Sequence, residues 1–341
     1  MKQKKLYLDS GYLDFTQIID DRYPITFLIG GRATGKTYGG LQYGKEYHDD
    51  YGKLFFYMRR TAKKAELIST DAFNPFKPLN QDLGWNIYPE SLSKGISAFQ
   101  NESGEIYGII AALSTFSNFR GFDGSNVDLI FLDEFIKEPT EKAIRNEAFA
   151  LMNVYETINR NRELRGEKPV KLICMSNSNE IANDIFIGFR VVAAAEQMIK
   201  RDRNQWYIPD RGIAIYNLTD SPISTRKADT ALYRMDQGGE YSNMALKSKY
   251  QDYDTSNIRN VPLVEYRPEV HIGELYIYQH KSERQFYISF HRSGTMPEYS
   301  LSQIDRERFV RQYIYLWEAY LQGRVLFESF YCKKLFEDIF Y

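Results

Sequence analysis

Two cysteines, Cys174 and Cys332, are all that 341 residues contain. One pair gives no disulfide framework and no cysteine-built zinc site. Histidine is nearly as scarce. His48, His271, His280 and His291 are the only four, none at metal-ligand spacing, so a histidine-held metal centre is not expected. Neither charge sign prevails: 44 Lys and Arg face 45 Asp and Glu, a net charge of −1. That balance argues against a uniformly basic nucleic-acid binder while allowing local basic patches. No apolar run nears the roughly 18 residues that span a bilayer. No apolar signal-peptide core follows the basic opening Met1-Lys2-Gln3-Lys4-Lys5. The expectation is a reducing cytoplasm and no membrane partner.

What is present is ordinary globular material, 43% hydrophobic and 26% charged, which excludes disorder of the whole chain. At this length a chain buries roughly three quarters of its unfolded surface and needs no covalent staple. The length suggests about two domains. Short apolar runs alternate with longer mixed segments in the first part, the pattern of an α/β domain with a mainly parallel sheet. Residues 25–29, 54–58, 127–132 and 170–175 read as core strands, and 96–99 with 106–110 as a hairpin. Residues 36–48 read as a helix that Gly39, Gly40 and Gly44 would weaken, and a second helix is expected from about 141 to 160. The polar stretch 218–260 reads as a linker with a short helix or two. Strands resume at 261, followed by a helix over 302–321. Residues 261–341 carry 18 aromatic side chains, a richer share than the 15% of the whole chain. The expected division is therefore 1–217, a linker 218–260, and a small α+β domain 261–341.

Gly30-Gly31-Arg32-Ala33-Thr34-Gly35-Lys36-Thr37 fits the pattern G-x-x-x-x-G-K-[ST] in full, after an apolar strand and before a helix. Glycines let backbone N–H groups wrap a phosphate chain, and the helix N-terminus adds its dipole. In that arrangement Lys36 reaches the β- and γ-phosphates and the Thr37 hydroxyl binds Mg²⁺. The second half of such a site is Asp128-Leu129-Ile130-Phe131-Leu132-Asp133-Glu134, an apolar strand ending in two carboxylates. Asp133 would hold Mg²⁺, mostly through water, and Glu134 would polarise an attacking water. The alternative is a solvated acidic turn. A small-molecule kinase has no use for a water-activating carboxylate here, and the Asn-Lys-x-Asp segment of a GTPase is absent, so ATP hydrolysis is the expected reaction.

Arginines form a third element. Arg160-Asn161-Arg162 precedes the strand at 171–175, and Arg120 precedes the strand at 127–132. An arginine beside a γ-phosphate, often lent by a neighbouring subunit, stabilises transition-state charge. An ordinary helix C-terminus welcomes the same cations, and on spacing alone that reading prevails. Ser176-Asn177-Ser178-Asn179 could sense the γ-phosphate or be a loop of turn formers. Arg59-Arg60 with Lys63-Lys64 could touch phosphate, of nucleotide or DNA, or begin a solvated helix.

Phe27-Leu28-Ile29-Gly30-Gly31-Arg32, Phe56-Tyr57-Met58-Arg59-Arg60, Ile130-Phe131-Leu132-Asp133-Glu134-Phe135, Ile158-Asn159-Arg160-Asn161-Arg162-Glu163 and Cys174-Met175-Ser176-Asn177 occur in this order. Together they resemble the DNA-packaging motor ATPases of small short-tailed, protein-primed phages, the phi-twenty-nine-like type. These are a branch of the additional-strand, catalytic-glutamate P-loop ATPases related to large terminases. The resemblance covers about residues 25–180. It implies a homo-oligomeric ring, pentameric in the family, at the portal vertex of an empty capsid in the cytoplasm of an infected bacterial host. It also implies ATP-driven passage of double-stranded DNA, with the possibility of a structural RNA as a bridge to the capsid. Arg160 maps onto a trans-acting arginine, and Arg120 onto a second trans basic position where a family member carries lysine. The family's C-terminal domain is similar to an RNase H-type nuclease that has lost its activity. A two-metal nuclease needs several carboxylates on its strands. Residues 275–278 and 286–290 have none, and Glu274 stands alone at an edge, so cleavage of DNA is not expected. Two other readings stay open: a terminase large subunit with an active nuclease, and a nucleotide-binding assembly switch without motor turnover.

Overall fold

Nine strands form one large sheet, apolar and buried through its middle and largely exposed at one margin. They are β1 (Ile25–Gly30), β2 (Leu54–Arg59), β3 (Tyr88–Ser93), β4 (Ile96–Gln100), β5 (Ile106–Ala112), β6 (Val127–Asp133), β7 (Lys171–Ser176), β8 (Gln205–Ile208) and β9 (Ile213–Leu218). The computed structural model describes residues 6–340 apart from 10, 33, 120, 121, 139, 140, 178, 179, 219, 220, 237, 238 and 240–254. The nine strands lie in the order β3-β4-β5-β2-β6-β7-β1-β9-β8. The pairings from β5 through to β9 are all parallel, while β3 and β4 on one margin and β8 on the other run antiparallel. Parallel strands need helices on both faces, which explains why these runs are apolar almost throughout.

Nine helices among the described residues connect and cover the strands: α1 (Phe15–Ile18), α2 (Lys36–Tyr51), α3 (Ala62–Ile68), α4 (Lys77–Leu83), α5 (Glu147–Asn159), α6 (Asp184–Gly188), α7 (Val192–Lys200), α8 (Pro222–Ala228) and α9 (Ala231–Met235). Leu28, Phe55, Tyr57, Phe131 and Ile173 pack with Leu41 of α2 on one face. Phe27 meets Phe186 of α6 edge to face at 5.1 Å on the other. The glycines of α2, expected to weaken it, have a packing role. A Cβ on Gly44 would stand 2.8 Å from the Phe55 ring and one on Gly39 2.6 Å from the Leu13 carbonyl. They let α2 lie closer to its neighbours than any larger residue permits.

One sequence expectation here needs correction. The helix expected from 141 starts at Glu147, because Asn146 takes a left-handed backbone (φ 53°) immediately before it. The stretch read as a linker with a short helix or two contains α8 and α9.

The chain divides into two compact units, Met1–Gln251 and Asp252–Tyr341. The second holds β10 (Tyr266–Ile272), β11 (Leu275–His280), β12 (Phe286–Ser289), β13 (Glu298–Tyr299) and β14 (Val325–Phe327), with α10 (Gln303–Gln312), α11 (Ile314–Leu321) and α12 (Phe330–Phe340). Its sheet order is β13-β10-β11-β12-β14, antiparallel through β10–β12 with a parallel strand at each margin. The helix expected over 302–321 is two helices that meet at Tyr313, whose ring stacks on Phe309 at 5.0 Å. The aromatic wealth of this unit forms its core. Phe336 packs against Phe327 at 5.6 Å and Tyr320 at 5.8 Å, and large rings let a small domain bury enough surface to fold.

Candidate active site

The loop after β1 closes on itself around a lysine. Gly35 caps α2 with φ 82°, a conformation that side chains disfavour, and no side chain caps the helix N-terminus. The first-turn N–H groups of α2 therefore have no competing side-chain acceptor. Gly30 is needed for a different reason: a Cβ there would sit 2.7 Å from the Leu218 Cβ of β9. Lys36 is 4% exposed. Its Nζ donates to the carbonyls of Gly30 and Gly31, each at 2.9 Å, and to Thr34 Oγ1 at 2.8 Å. All three partners are neutral. Burial pushes the Lys36 pKa down to about 7, against the pull of Asp133. A buried cation held only by neutral dipoles is a receptor for an anion.

The carboxylates come from β6. With β7 lying between β6 and β1, Asp133 ends its strand opposite the start of α2. Thr37 Oγ1 donates to Asp133 Oδ2 at 3.0 Å. Glu134 follows with φ 58°, a strained backbone of the kind that clusters at functional sites. Its carboxylate is held by Arg59 Nη1 and Lys64 Nζ, each 2.9 Å from Oε2. Burial alone would raise the Glu134 pKa, but the two cations outweigh it and hold it below its ordinary value. The Arg59 contact is out of line for a hydrogen bond, and Arg59 Nε, though buried, also has no acceptor among the described residues.

Arg59, Arg60 and Lys64 of the basic cluster are therefore held on carboxylates and not free to meet phosphate in this conformation, while Lys63 is exposed in the first turn of α3. Arg60 is fully buried and pairs with Glu147 (2.6 and 2.8 Å) and Glu141 (2.7 Å), and Lys64 also pairs with Glu141. A link to Glu134 was not legible in the sequence. Period-two alternation puts Tyr57 and Arg59 on one face of their strand, but only the register Arg59↔Asp133 reveals what they face. Tyr57, likewise unforeseen, donates to Asp133 Oδ2 at 2.5 Å.

Lys36, Thr37, Asp133 and Glu134 are thus brought together. The other singled-out residues are elsewhere. Arg32 Nη2 lies 3.8 Å from Glu138 Oε1, both exposed. Ala33 and Arg120 lie outside the described residues, as do Ser178 and Asn179; Ser176 is buried at the end of β7 and Asn177 is exposed. Arg160 stands beyond the far end of α5 from Glu147. It donates to the Phe122 carbonyl at 2.7 Å, before β6 begins, whereas Asp133 ends that strand. Its side chain is 48% exposed, and the Asp133–Glu134 pair is not beside it. Arg162 is a structural residue, paired with Asp128 at 2.7 Å and donating to the Gly124, Ser125 and Val127 carbonyls.

The donor set suits a nucleotide and its metal: a buried lysine held by neutral dipoles, and a hydroxyl and carboxylate already in contact. In the second unit β10 carries Glu269, an acid beyond the two strands read as carboxylate-free, and it accepts from Tyr315 Oη at 2.5 Å. Among the described residues no three acidic, His or Cys side chains converge as a metal cage. No described helix is long and apolar enough to cross a membrane.

The sequence profile of the Podovirus DNA encapsidation protein (Gp16) family matches residues 7–260, well over half the chain. The chain belongs to this encapsidation family. The DNA packaging proteins of Bacillus phage phi29 and Bacillus phage PZA are each 28% identical to it over 228 residues, 66% of this chain. That match spans 62% of the length of those relatives. The encapsidation-family fold is also that of a chain in the bacteriophage phi-29 viral genome packaging motor assembly, with a TM-score of 0.67 at 20% identity, covering 98% of this chain and 99% of that one. The Phi-28 gp11 DNA packaging motor is similar at a TM-score of 0.57 and 19% identity, over 91% of this chain and 92% of that one.

Proposed function

We propose that this chain is the ATP-hydrolysing subunit of a motor that drives double-stranded viral DNA into a preformed capsid. It works as a homo-oligomeric ring, pentameric by family resemblance, against the capsid portal in the host cytoplasm, with a structural RNA as a further possible partner. The first 217 residues form the P-loop ATPase of the additional-strand, catalytic-glutamate type, 218–260 the linker, and 261–341 an RNase H-like domain without nuclease activity.

The convergence of Lys36, Thr37, Asp133 and Glu134 in a member of an encapsidation family carries this reading. Residues 30–37 cradle the phosphates of ATP through backbone N–H groups and Lys36. Thr37 and Asp133 hold Mg²⁺, which supplies charge to offset the phosphates. Glu134 accepts a proton from the attacking water. With Arg59 and Lys64 upon it, Glu134 is a weakened base, so turnover requires those cations to let go. Arg160, exposed and away from its own carboxylates, serves a neighbour's site, and Arg120 is a second residue of that kind. β7 between β1 and β6 supports the additional-strand assignment.

The test compares wild type with Glu134→Gln. A motor shows ATPase activity stimulated by double-stranded DNA and portal, which the substitution abolishes while nucleotide binding survives. Binding without hydrolysis under all these conditions would favour an assembly switch. Cleavage of plasmid with Mg²⁺ or Mn²⁺, lost in Glu274→Ala, would favour an active terminase nuclease.

A further inference from the structure

Asp133 is gripped by more than the site's sequence pattern requires. Oδ2 accepts from Thr37 Oγ1 at 3.0 Å and Tyr57 Oη at 2.5 Å, and Oδ1 accepts the Glu134 backbone N–H at 3.0 Å. Arg59 Nη2 stands 3.6 Å from the same Oδ2. Tyr57 is fully buried in β2, its ring edge-on to Phe99 at 5.8 Å. A buried phenol needs an acceptor, and this one spends its single donor on the carboxylate assigned to the metal.

The two hydroxyls are not equivalent. On the reading above, the Thr37 oxygen turns to the metal, and its donation to Asp133 ends. Tyr57 lies inside the sheet with no competing duty. If its hydroxyl is lost, the vacant lone pair of Oδ2 is open to the Arg59 guanidinium, whose charge would neutralise Asp133.

We infer that Tyr57 is a positioning residue for the metal: its hydroxyl fixes the orientation of Asp133 and keeps the 3.6 Å ion pair of Oδ2 with Arg59 from closing into a direct hydrogen bond. This rests on the reading of Asp133 as the Mg²⁺-side carboxylate. Tyr57 touches neither substrate nor metal, and it acts through Asp133.

The test uses the full chain as wild type and Tyr57→Phe, which keeps the ring and removes only the hydroxyl. Binding of a fluorescent ADP analogue and the melting temperature are followed while Mg²⁺ is titrated. Loss of one charge-assisted hydrogen bond should raise the half-saturating Mg²⁺ concentration about tenfold and leave metal-free ADP affinity within about twofold of wild type. An unchanged Mg²⁺ half-point overturns the inference. So does a fall in ligand-free melting temperature and metal-free affinity with the Mg²⁺ response intact, the mark of a merely structural tyrosine. On an Arg59→Met background, where no guanidinium is left to take Oδ2, Tyr57→Phe should shift the Mg²⁺ half-point by less than about threefold relative to Arg59→Met alone, and an undiminished shift of about tenfold would overturn the competition with Arg59. If wild type itself shows no Mg²⁺-dependent ADP binding, the reading of Asp133 fails and the inference falls with it.

Discussion

One carboxylate shows how much a single side chain can do in the second unit. Glu328 follows β14, and its Oε2 accepts from Ser289 Oγ at 2.7 Å and from the Phe290 N–H at 2.8 Å, while Oε1 lies 3.0 Å from His291 Nδ1. It ties the end of β12 to the end of β14, two strands that are neighbours only through the fold. Burial alone would raise its pKa; the Ser289 and Phe290 donors and the His291 ring outweigh burial and hold it below its ordinary 4.5. The folded chain therefore binds this proton less readily than the unfolded one. The stabilisation is present above about pH 4.5 and is lost as the pH falls through the lower folded value. Glu328→Gln keeps the shape and removes the charge. It should cost roughly 1 kcal/mol near neutral pH, with the difference from wild type shrinking below about pH 4. Melting curves of both proteins at neutral and acid pH decide the matter, since an equal penalty at the two pH values would show that the charge contributes nothing.

Among the elements, β2 and α5 are joined by charge where the sequence suggests only packing. Arg60 at the end of β2 is fully buried against Glu147 in the first turn of α5. Breaking one partner of such a pair leaves a charge stranded in low dielectric, typically at a cost of about 3–5 kcal/mol. Arg60→Met should fall in that range by denaturant unfolding, while Arg60→Met with Glu147→Leu should recover most of the loss. A double variant no better than the single would mean that the pair contributes attraction rather than mutual relief. The same region marks how far the sequence could be read. β1, its glycine loop and β6 were legible because continuous apolar runs and a spaced glycine motif are local signals. Arg59, Arg60 and Lys64 were legible only as a basic cluster and Tyr57 only as part of a core strand, since their partners at 133, 134, 141 and 147 arrive through strand order and a crossover helix. The break at Tyr313 was hidden because aromatic and aliphatic residues continue helical spacing through it. β8 and β9 were absorbed into undifferentiated sequence, being short and followed by polar residues.

At the scale of the whole molecule the near-zero net charge has a structural account. Arg59, Arg60, Lys64 and Arg162 are spent on Glu134, Glu141, Glu147 and Asp128 inside the first unit, so they offer no fixed basic surface. On the proposed function, a protein that must release DNA as well as hold it would gain from such balance, because permanent phosphate contacts would make each release slower. Arg160 differs from these four: its ion-pair partner among the described residues, Asp123, is 3.9 Å away and exposed. If it completes a neighbour's site, Arg160→Ala and Lys36→Ala should each be inactive alone yet active when mixed. A working site then needs an Arg160→Ala subunit that retains Lys36 beside a Lys36→Ala subunit that retains Arg160. Random mixing in equal amounts makes that pairing about a quarter of all interfaces, which sets the expected ceiling on recovered ATPase rate. Recovery should vary with mixing ratio and peak near equality. No recovery at any ratio, with both variants assembled, would place the role of Arg160 within its own subunit.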